Sequence, residues 1–290
     1  YEVPLKMQQQ KLDEIVLQKT GMPIKSTPEL KPWKEFLARM KNATESVRIG
    51  LVGKYVELPD AYKSINEALF QAATYNDHKL DLKLIHSEKI NKDNVEEMLG
   101  SMDGIIIAPG FGQRGIEGKF IALKYAREHD VPTFGICLGM QCMVIEFARD
   151  VLGYADANST EMEVSTNHNV IDLMESQKSI SNMGGTMRLG EYDCILQEGS
   201  KAAKAYNSTH IKERHRHRFE FNSDYRDEFE KAGMKCVGEN PDTHLVEVVE
   251  IPNLKWFVGV QYHPEYNSTV LKPNPLFVDF VKAAIENKKK

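Results

Sequence analysis

Cysteine is scarce in this chain: four thiols in 290 residues, Cys137, Cys142, Cys194 and Cys236, no two of them spaced as Cys-x-x-Cys. That scarcity excludes a disulfide-stapled scaffold and argues against a thiolate metal site. No apolar run reaches the roughly 20 residues that a membrane-spanning helix needs, and no charged-then-apolar leader opens the sequence. The expectation is a cytoplasmic protein that binds neither membrane nor metal. Positive charge is not in excess either. Lys and Arg number 37 against 42 Asp and Glu, a net charge of −5, so no basic field is present to attract nucleic acid. The phosphate-cradling pattern GxxxxGK[ST] does not occur. An initiator Met is missing from the opening Tyr1-Glu-Val-Pro-Leu5, and the chain is read as a piece of a longer protein.

What is present is alternation. Residues 1–45 carry helical spacing at Trp33, Phe36, Leu37 and Met40, with Gly21 and Pro23 separating two short helices, and are read as a helical linker. From residue 46 onward, strands alternate with helices. Val47–Val52, Leu80–Ile85, Gly104–Ala108 and Pro132–Ile136 read as strands. Helices run through Ile65–Ala73, Val95–Leu99, Ile116–Glu128 and Leu138–Leu152. The pattern predicts an α/β domain over 46–290, with a mostly parallel central sheet flanked by helices, of the flavodoxin-like kind. Residues 156–213 are polar and give no clear periodicity. Phe219–Phe221, His244–Ile251 and Trp256–Tyr262 read as further strands, and Asn274–Asn287 as a closing helix.

Chemistry concentrates at Phe134-Gly-Ile-Cys-Leu-Gly-Met-Gln141. Cys137 stands between Gly135 and Gly139 where a strand gives way to a helix. Gly-x-Cys-x-Gly there fits a nucleophile elbow, whose glycines relieve a sharp turn. The helix N-terminus favours a negative sulfur. Cys142, Cys194 and Cys236 lack this context and read as small buried apolar residues. A redox-sensing thiol is the weaker reading of Cys137.

A thiol nucleophile needs a base, and the base needs an orienting group. Gln261-Tyr-His-Pro-Glu265 supplies both, directly after an apolar run: an extended chain would point His263 and Glu265 to the same side. Ile107-Ala-Pro-Gly-Phe-Gly112 follows the preceding strand. Backbone N–H groups of Gly110 and Leu138 could converge there on an oxyanion.

These elements together resemble the triad-type class I glutamine amidotransferases, and within them the glutaminase half of the CTP synthase family. The resemblance is carried further by Asn158-Ser-Thr-Glu161, Gly184-Gly-Thr-Met-Arg-Leu-Gly190, Glu213-Arg-His-Arg-His-Arg-Phe-Glu220 and the opening Tyr-Glu-Val-Pro-Leu. It implies Cys137, His263 and Glu265 as catalytic triad, and Gly110 and Leu138 as oxyanion hole. It implies L-glutamine held by Gly110, Leu138, Gly139, Met140, Gln141, Glu161 and Arg218, with no metal or cofactor in this portion. For the full-length enzyme it implies ATP, Mg²⁺, allosteric GTP, a synthetase domain on the same polypeptide and a homotetramer. Phe111 and Arg114 lie where a GTP effect would be sought. One departure stands out: the family's Pro-Gly-Gly-Phe-Gly is Ala108-Pro-Gly-Phe-Gly112 here, so the donor duty falls to Gly110, since Pro109 has no N–H.

Other classes compete with this assignment. A γ-glutamyl hydrolase or a non-catalytic scaffold could share the fold. The Arg-His-Arg-His-Arg run, as a strand, puts arginines on one face and histidines on the other. It suits a domain interface better than a nucleic acid.

Overall fold

A computed structural model describes residues 1–26, 28–58, 60–173 and 187–288. The first 45 residues form three helices, where two were expected: α1 (Val3–Gln9), α2 (Leu12–Lys19) and α3 (Lys31–Asn42). Pro4 and Pro32 occupy first-turn positions of α1 and α3, where a missing N–H costs nothing. Helices α1 and α2 bury no residue. α3 buries Phe36 and Leu37, and Phe36 meets Phe70 edge-on at 6.3 Å between ring centroids.

The domain that follows is built on β1 (Ser46–Gly53), α4 (Lys63–Tyr75), β2 (Lys79–His86), α5 (Val95–Leu99), β3 (Gly104–Ile107), α6 (Ile116–Glu128), β4 (Thr133–Ile136) and α7 (Leu138–Asp150). All were expected within two residues at each strand end. The polar stretch then resolves into β5 (Asn158–Ser159), β6 (Asn169–Leu173), β7 (Arg188–Leu196), α8 (Lys201–Tyr206), β8 (His210–His217) and β9 (Phe219–Phe221). The chain finishes with α9 (Arg226–Ala232), β10 (Lys235–Glu239), β11 (Val246–Glu250), β12 (Phe257–Val260) and α10 (Pro275–Lys288).

Nine strands form one sheet in the order β2-β1-β3-β4-β12-β11-β10-β7-β8. The first five pair in parallel, and the remaining four extend the sheet antiparallel. β5, β6 and β9 make a small second sheet. Strands β3 and β4 are fully buried because helices cover both faces, and their side chains alternate between two cores. Ile105 and Ile107 face the core under α6 and α7, while Ile106, Phe134 and Ile136 face the one under α4 and α10.

This topology decides where chemistry can occur. β1 connects outward to β2, then the chain crosses back over β1 to β3. The carboxyl ends of β1, β3, β4 and β12 open at that switch point, where open α/β sheets bind ligands.

Candidate active site

Cys137 joins β4 to α7 with φ 51° and ψ −106°. A residue with a Cβ avoids that region, at a cost on the order of 1–3 kcal/mol. Both flanking glycines are required by close approach. A Cβ on Gly139 would lie 2.1 Å from the Ile107 carbonyl oxygen, and one on Gly135 would lie 2.8 Å from the Gly139 backbone. The Cys137 N–H donates to the Val260 carbonyl at 2.7 Å, which pins the turn to β12.

Two polar side chains of one short segment face the thiol, and a third backs the second of them. Gln261 Nε2 donates to Cys137 Sγ at 3.6 Å. His263 lies close enough to Cys137 to interact with it electrostatically, and its Nδ1 pairs with Glu265 Oε1 at 2.8 Å. The extended geometry expected for this pair is not what aligns it. His263 caps a 3₁₀ turn, Pro264–Asn267, and the turn folds Glu265 back onto the ring. Tyr266 stacks on His263 at 5.3 Å, and the His263 N–H donates to the Arg214 carbonyl at 2.8 Å. Burial opposes a charge on His263. The Cys137 sulfur and the Glu265 carboxylate outweigh burial and hold its pKa up, at about 11.

The loop after β3 is strapped at nearly every residue. Lys119 Nζ donates to the Ala108 carbonyl at 2.7 Å, and Lys54 Nζ to that of Phe111. The Gly112 N–H donates to Glu161 Oε1 at 3.0 Å, and Gln113 bonds the Met162 carbonyl. Gly110 adopts φ 155°. Its N–H finds no acceptor among the described residues, and helix geometry leaves the N–H of Leu138, first residue of α7, without an intrahelical acceptor.

Between the elbow and this loop lies a cavity of about 430 Å³. Cys137, His263 and Tyr266 line one side, Gly110, Phe111 and Glu161 another, and Gln141 and the 216–219 stretch complete it with Met187. The structure thus brings together Cys137, His263, Glu265, Gly110, Gln141, Glu161 and Arg218. It does not bring the side chains of Leu138 and Met140 to the cavity: both are buried in the core under α7. Gly139 seats α7 on β3. Any contact from these three is through backbone. Of the Gly184–Gly190 motif, Gly184–Thr186 lie outside the described residues.

A glutamine amidotransferase class-I family model matches residues 57–283. The chain belongs to the class I glutamine amidotransferases. It is 66% identical over 286 residues to a CTP synthase of Bacteroides fragilis, covering 99% of this chain and 54% of that protein. It is 64% identical over 290 residues to a CTP synthase of Porphyromonas gingivalis, covering 100% and 54%. The chain spans about half the length of these curated relatives. A solved structure described as the Trypanosoma brucei CTPS glutaminase domain with bound acivicin aligns with TM-score 0.78 and 37% identity, over 83% of this chain and 94% of that one.

Around this amidotransferase site, β8 alternates as the sequence required: His215 and His217 point inward, Arg214 and Arg216 outward. The two imidazoles meet at 2.8 Å beside Arg188, Glu220 and Glu247, all buried. Burial lowers the pKa of both histidines. Phe111 is 68% exposed, and the Arg114 guanidinium lies 5.3 Å from the Tyr55 ring. Among the described residues, no cluster of His, Cys, Asp and Glu could hold a metal, and no helix is long and apolar enough to cross a membrane.

Sequence reasoning missed Gln261, Lys54 and Lys119. Gln261 had a signal, since it stands two residues before His263. Lys119 had one too: it falls on the stripe Ile116, Phe120 and Leu123, which is otherwise apolar.

Proposed function

We propose that this chain hydrolyses L-glutamine to L-glutamate and ammonia, with Cys137 as nucleophile, His263 as proton carrier and Glu265 as its orienting group. One observation carries this assignment. Cys137 is held at positive φ in a cavity that it shares with His263, whose Nδ1 is 2.8 Å from a buried carboxylate.

The Sγ thiolate attacks the side-chain amide carbon, and the carbonyl π electrons move to oxygen. Gly110 and Leu138 N–H groups stabilise that oxyanion. As it collapses, the imidazolium gives its proton to the departing amine, releasing ammonia and leaving a glutamyl thioester. His263 then takes a proton from water, whose oxygen attacks the thioester. Collapse of the second oxyanion expels the thiolate and frees glutamate. Glu265 on Nδ1 fixes the tautomer that turns Nε2 toward the sulfur. Glu161 suits the substrate's ammonium and Arg218 its α-carboxylate. The 430 Å³ cavity has room for an amino acid of this size. Gly139 and Met140 contribute through the backbone.

In the whole protein, the ammonia would serve ATP- and Mg²⁺-dependent amination of UTP to CTP by a synthetase domain, under GTP control, in a cytoplasmic homotetramer. Residues 1–45 would be the linker to that domain and 46–290 the glutaminase. The relatives of about twice this length support that placement.

The test is ammonia release from L-glutamine by the purified chain. Acivicin, the ligand named for the trypanosomal domain, should label Cys137 covalently, with the thiolate displacing its chloride. Supplied with UTP, ATP, Mg²⁺ and ammonium, these 290 residues alone should form no CTP. Lack of glutamine hydrolysis together with lack of labelling would refute the assignment.

A further inference from the structure

Among the described residues Lys119 is the one lysine of 0% exposure, and it is unusual in what surrounds it. Among the described residues no carboxylate lies within ion-pair distance of it. Its ammonium instead donates to the Ala108 carbonyl at 2.7 Å, with the Cys142 and Cys137 thiols close enough to act on it electrostatically. Burial pushes its pKa down, an effect the two sulfurs oppose and Lys54 reinforces. An unpaired buried cation costs several kcal/mol, and Leu or Met would fill this position of an apolar stripe without that cost. Packing therefore does not account for the residue.

Its position is fixed from behind. Gly118 lets α6 lie directly on the Ser87 carbonyl, where a Cβ would come within 1.8 Å. The adjacent Lys119 is thereby aimed at the end of β3. Ala108 is held on both sides, by its N–H to the Val52 carbonyl at 3.0 Å and by its carbonyl to Lys119. Fixing that carbonyl fixes the planar peptide between Ala108 and Pro109. The Pro109 ring fixes the next torsion. Only ψ of Pro109 then remains between the anchored plane and the direction of the Gly110 N–H.

We propose that Lys119 is a positioning residue for the oxyanion hole: by holding the Ala108 carbonyl, and with Pro109 beyond it, it sets the aim of the Gly110 N–H. The proposal rests on the glutaminase function proposed above. Lys119 touches neither substrate nor nucleophile in this role. It acts on the oxyanion through the anchored peptide plane between Ala108 and Pro109, which leaves ψ of Pro109 as the one free torsion before the Gly110 N–H.

The experiment compares the parent chain with Lys119→Met in two assays. One is steady-state ammonia release from L-glutamine. The other is binding of the γ-aldehyde analogue of glutamine, which the Cys137 thiolate converts into a tetrahedral adduct whose oxyanion needs the hole. In the variant, kcat should fall about 10²–10³-fold, with KM within a few-fold of the parent. Aldehyde affinity should fall in parallel. Alkylation of Cys137 by iodoacetamide, which needs no oxyanion hole, should keep its parent rate. Lys119→Arg, which restores a cationic donor, should recover part of the loss. If Lys119→Met does not fold, Lys119→Gln is read in the same assays with the same expectations. Unchanged kcat and aldehyde affinity in the variant, beside an active parent, would overturn the proposal alone. So would equal losses in alkylation and turnover, which mark a packing role. A parent that neither releases ammonia nor takes up the aldehyde overturns the glutaminase function, and this proposal with it.

Discussion

Glu161 accepts the backbone N–H of Gly112 at 3.0 Å across 49 residues of sequence. The carboxylate proposed to hold the substrate's ammonium is thus also a clamp on the loop that carries Gly110. The two duties separate by substitution. Glu161→Gln keeps an oxygen for Gly112 and loses the charge. KM for glutamine should rise about 10–100-fold, the worth of one charge-assisted contact, with kcat near the parent. Glu161→Ala loses both, so kcat should fall as well. A KM unchanged in both variants removes Glu161 from the substrate site.

The two neighbouring thiols of α7 and its N-cap should behave oppositely. Cys142 is fully buried, and burial pushes its thiol up to about 11. Cys137→Ala should abolish glutamine hydrolysis with the fold intact, whereas Cys142→Ala should retain it. Peptide mapping after a glutamine-like diazo-ketone should find the added mass on Cys137. Label on Cys142, with activity surviving in Cys137→Ala, would name the wrong nucleophile.

How far these assignments were legible in sequence depended on whether the signal was local. The elbow was legible because Gly-x-Cys-x-Gly is a backbone requirement, and the structure supplies the close approaches that demand each glycine. The β8 alternation was legible because period two survives without context. Strand β7 was not: Arg188–Leu196 carries apolar side chains on both faces, Cys194 and Leu196 buried and Leu189 and Ile195 exposed, so no single apolar stripe marks it. The His263–Glu265 pairing was expected for a different reason than the one that operates, since Pro264 starts a turn where an extended segment was assumed. Lys119 showed only as a polar residue on the apolar stripe of α6; its partner is a backbone carbonyl, and carbonyls carry no sequence signal.

The buried cluster beside β8 should give a titration visible in stability. Burial raises the Glu220 carboxyl to about 8, with Glu247 adding to the rise and Arg188 opposing it. Arg188 Nη1 and His217 Nδ1 each lie 3.9 Å from a Glu220 oxygen. A raised folded pKa means that the folded state binds the proton more tightly. The stabilisation is complete below the ordinary carboxyl value near 4.5 and is lost as pH rises to about 8. His215 and His217, whose pKa values are lowered, act in the other direction: their stabilisation is present above about 6.5 and is lost as pH falls. Glu220→Gln isolates the carboxyl. The melting temperature of the variant relative to the parent should climb steadily between pH 5 and pH 8. A difference independent of pH over that range would rule out titration of Glu220 there.

Gly110 offers a gentler test of the hole than deletion of its N–H. Its φ of 155° cannot be met by proline, whose ring sets φ near −65°, so Gly110→Pro would rebuild the loop. Gly110→Ala has room: its Cβ would meet Leu138 Cδ2 at 3.5 Å and Lys54 Cε at 3.6 Å, ordinary contacts. The strain is in the backbone alone, on the order of 1–3 kcal/mol, and is relieved by rotating the peptide plane that carries the N–H. Turnover should drop at least tenfold while Cys137 alkylation by iodoacetamide keeps its rate. Parent-like kcat would show that this N–H is not a donor to the oxyanion.

The pairing of His263 Nδ1 with Glu265 Oε1 at 2.8 Å makes a prediction in two currencies, rate and stability. Glu265→Gln keeps the shape and removes the charge. The amide can present either its oxygen or its NH₂ to Nδ1, so the tautomer is no longer fixed and the imidazolium loses its counter-charge. By analogy with triads in which the orienting carboxylate is replaced, kcat should fall by about 10²–10⁴-fold. For stability the sign follows from the raised pKa of His263. The folded state binds that proton more tightly than the unfolded one. Its stabilisation is therefore complete below about pH 6.5 and fades as pH rises toward about 11. Glu265→Gln removes part of what raises the pKa, so the variant should melt below the parent by the widest margin near pH 6. The gap should narrow from pH 8 to pH 10. Thermal scans across that range decide the matter: a gap that widens with rising pH would mean that Glu265 does not stabilise a protonated His263.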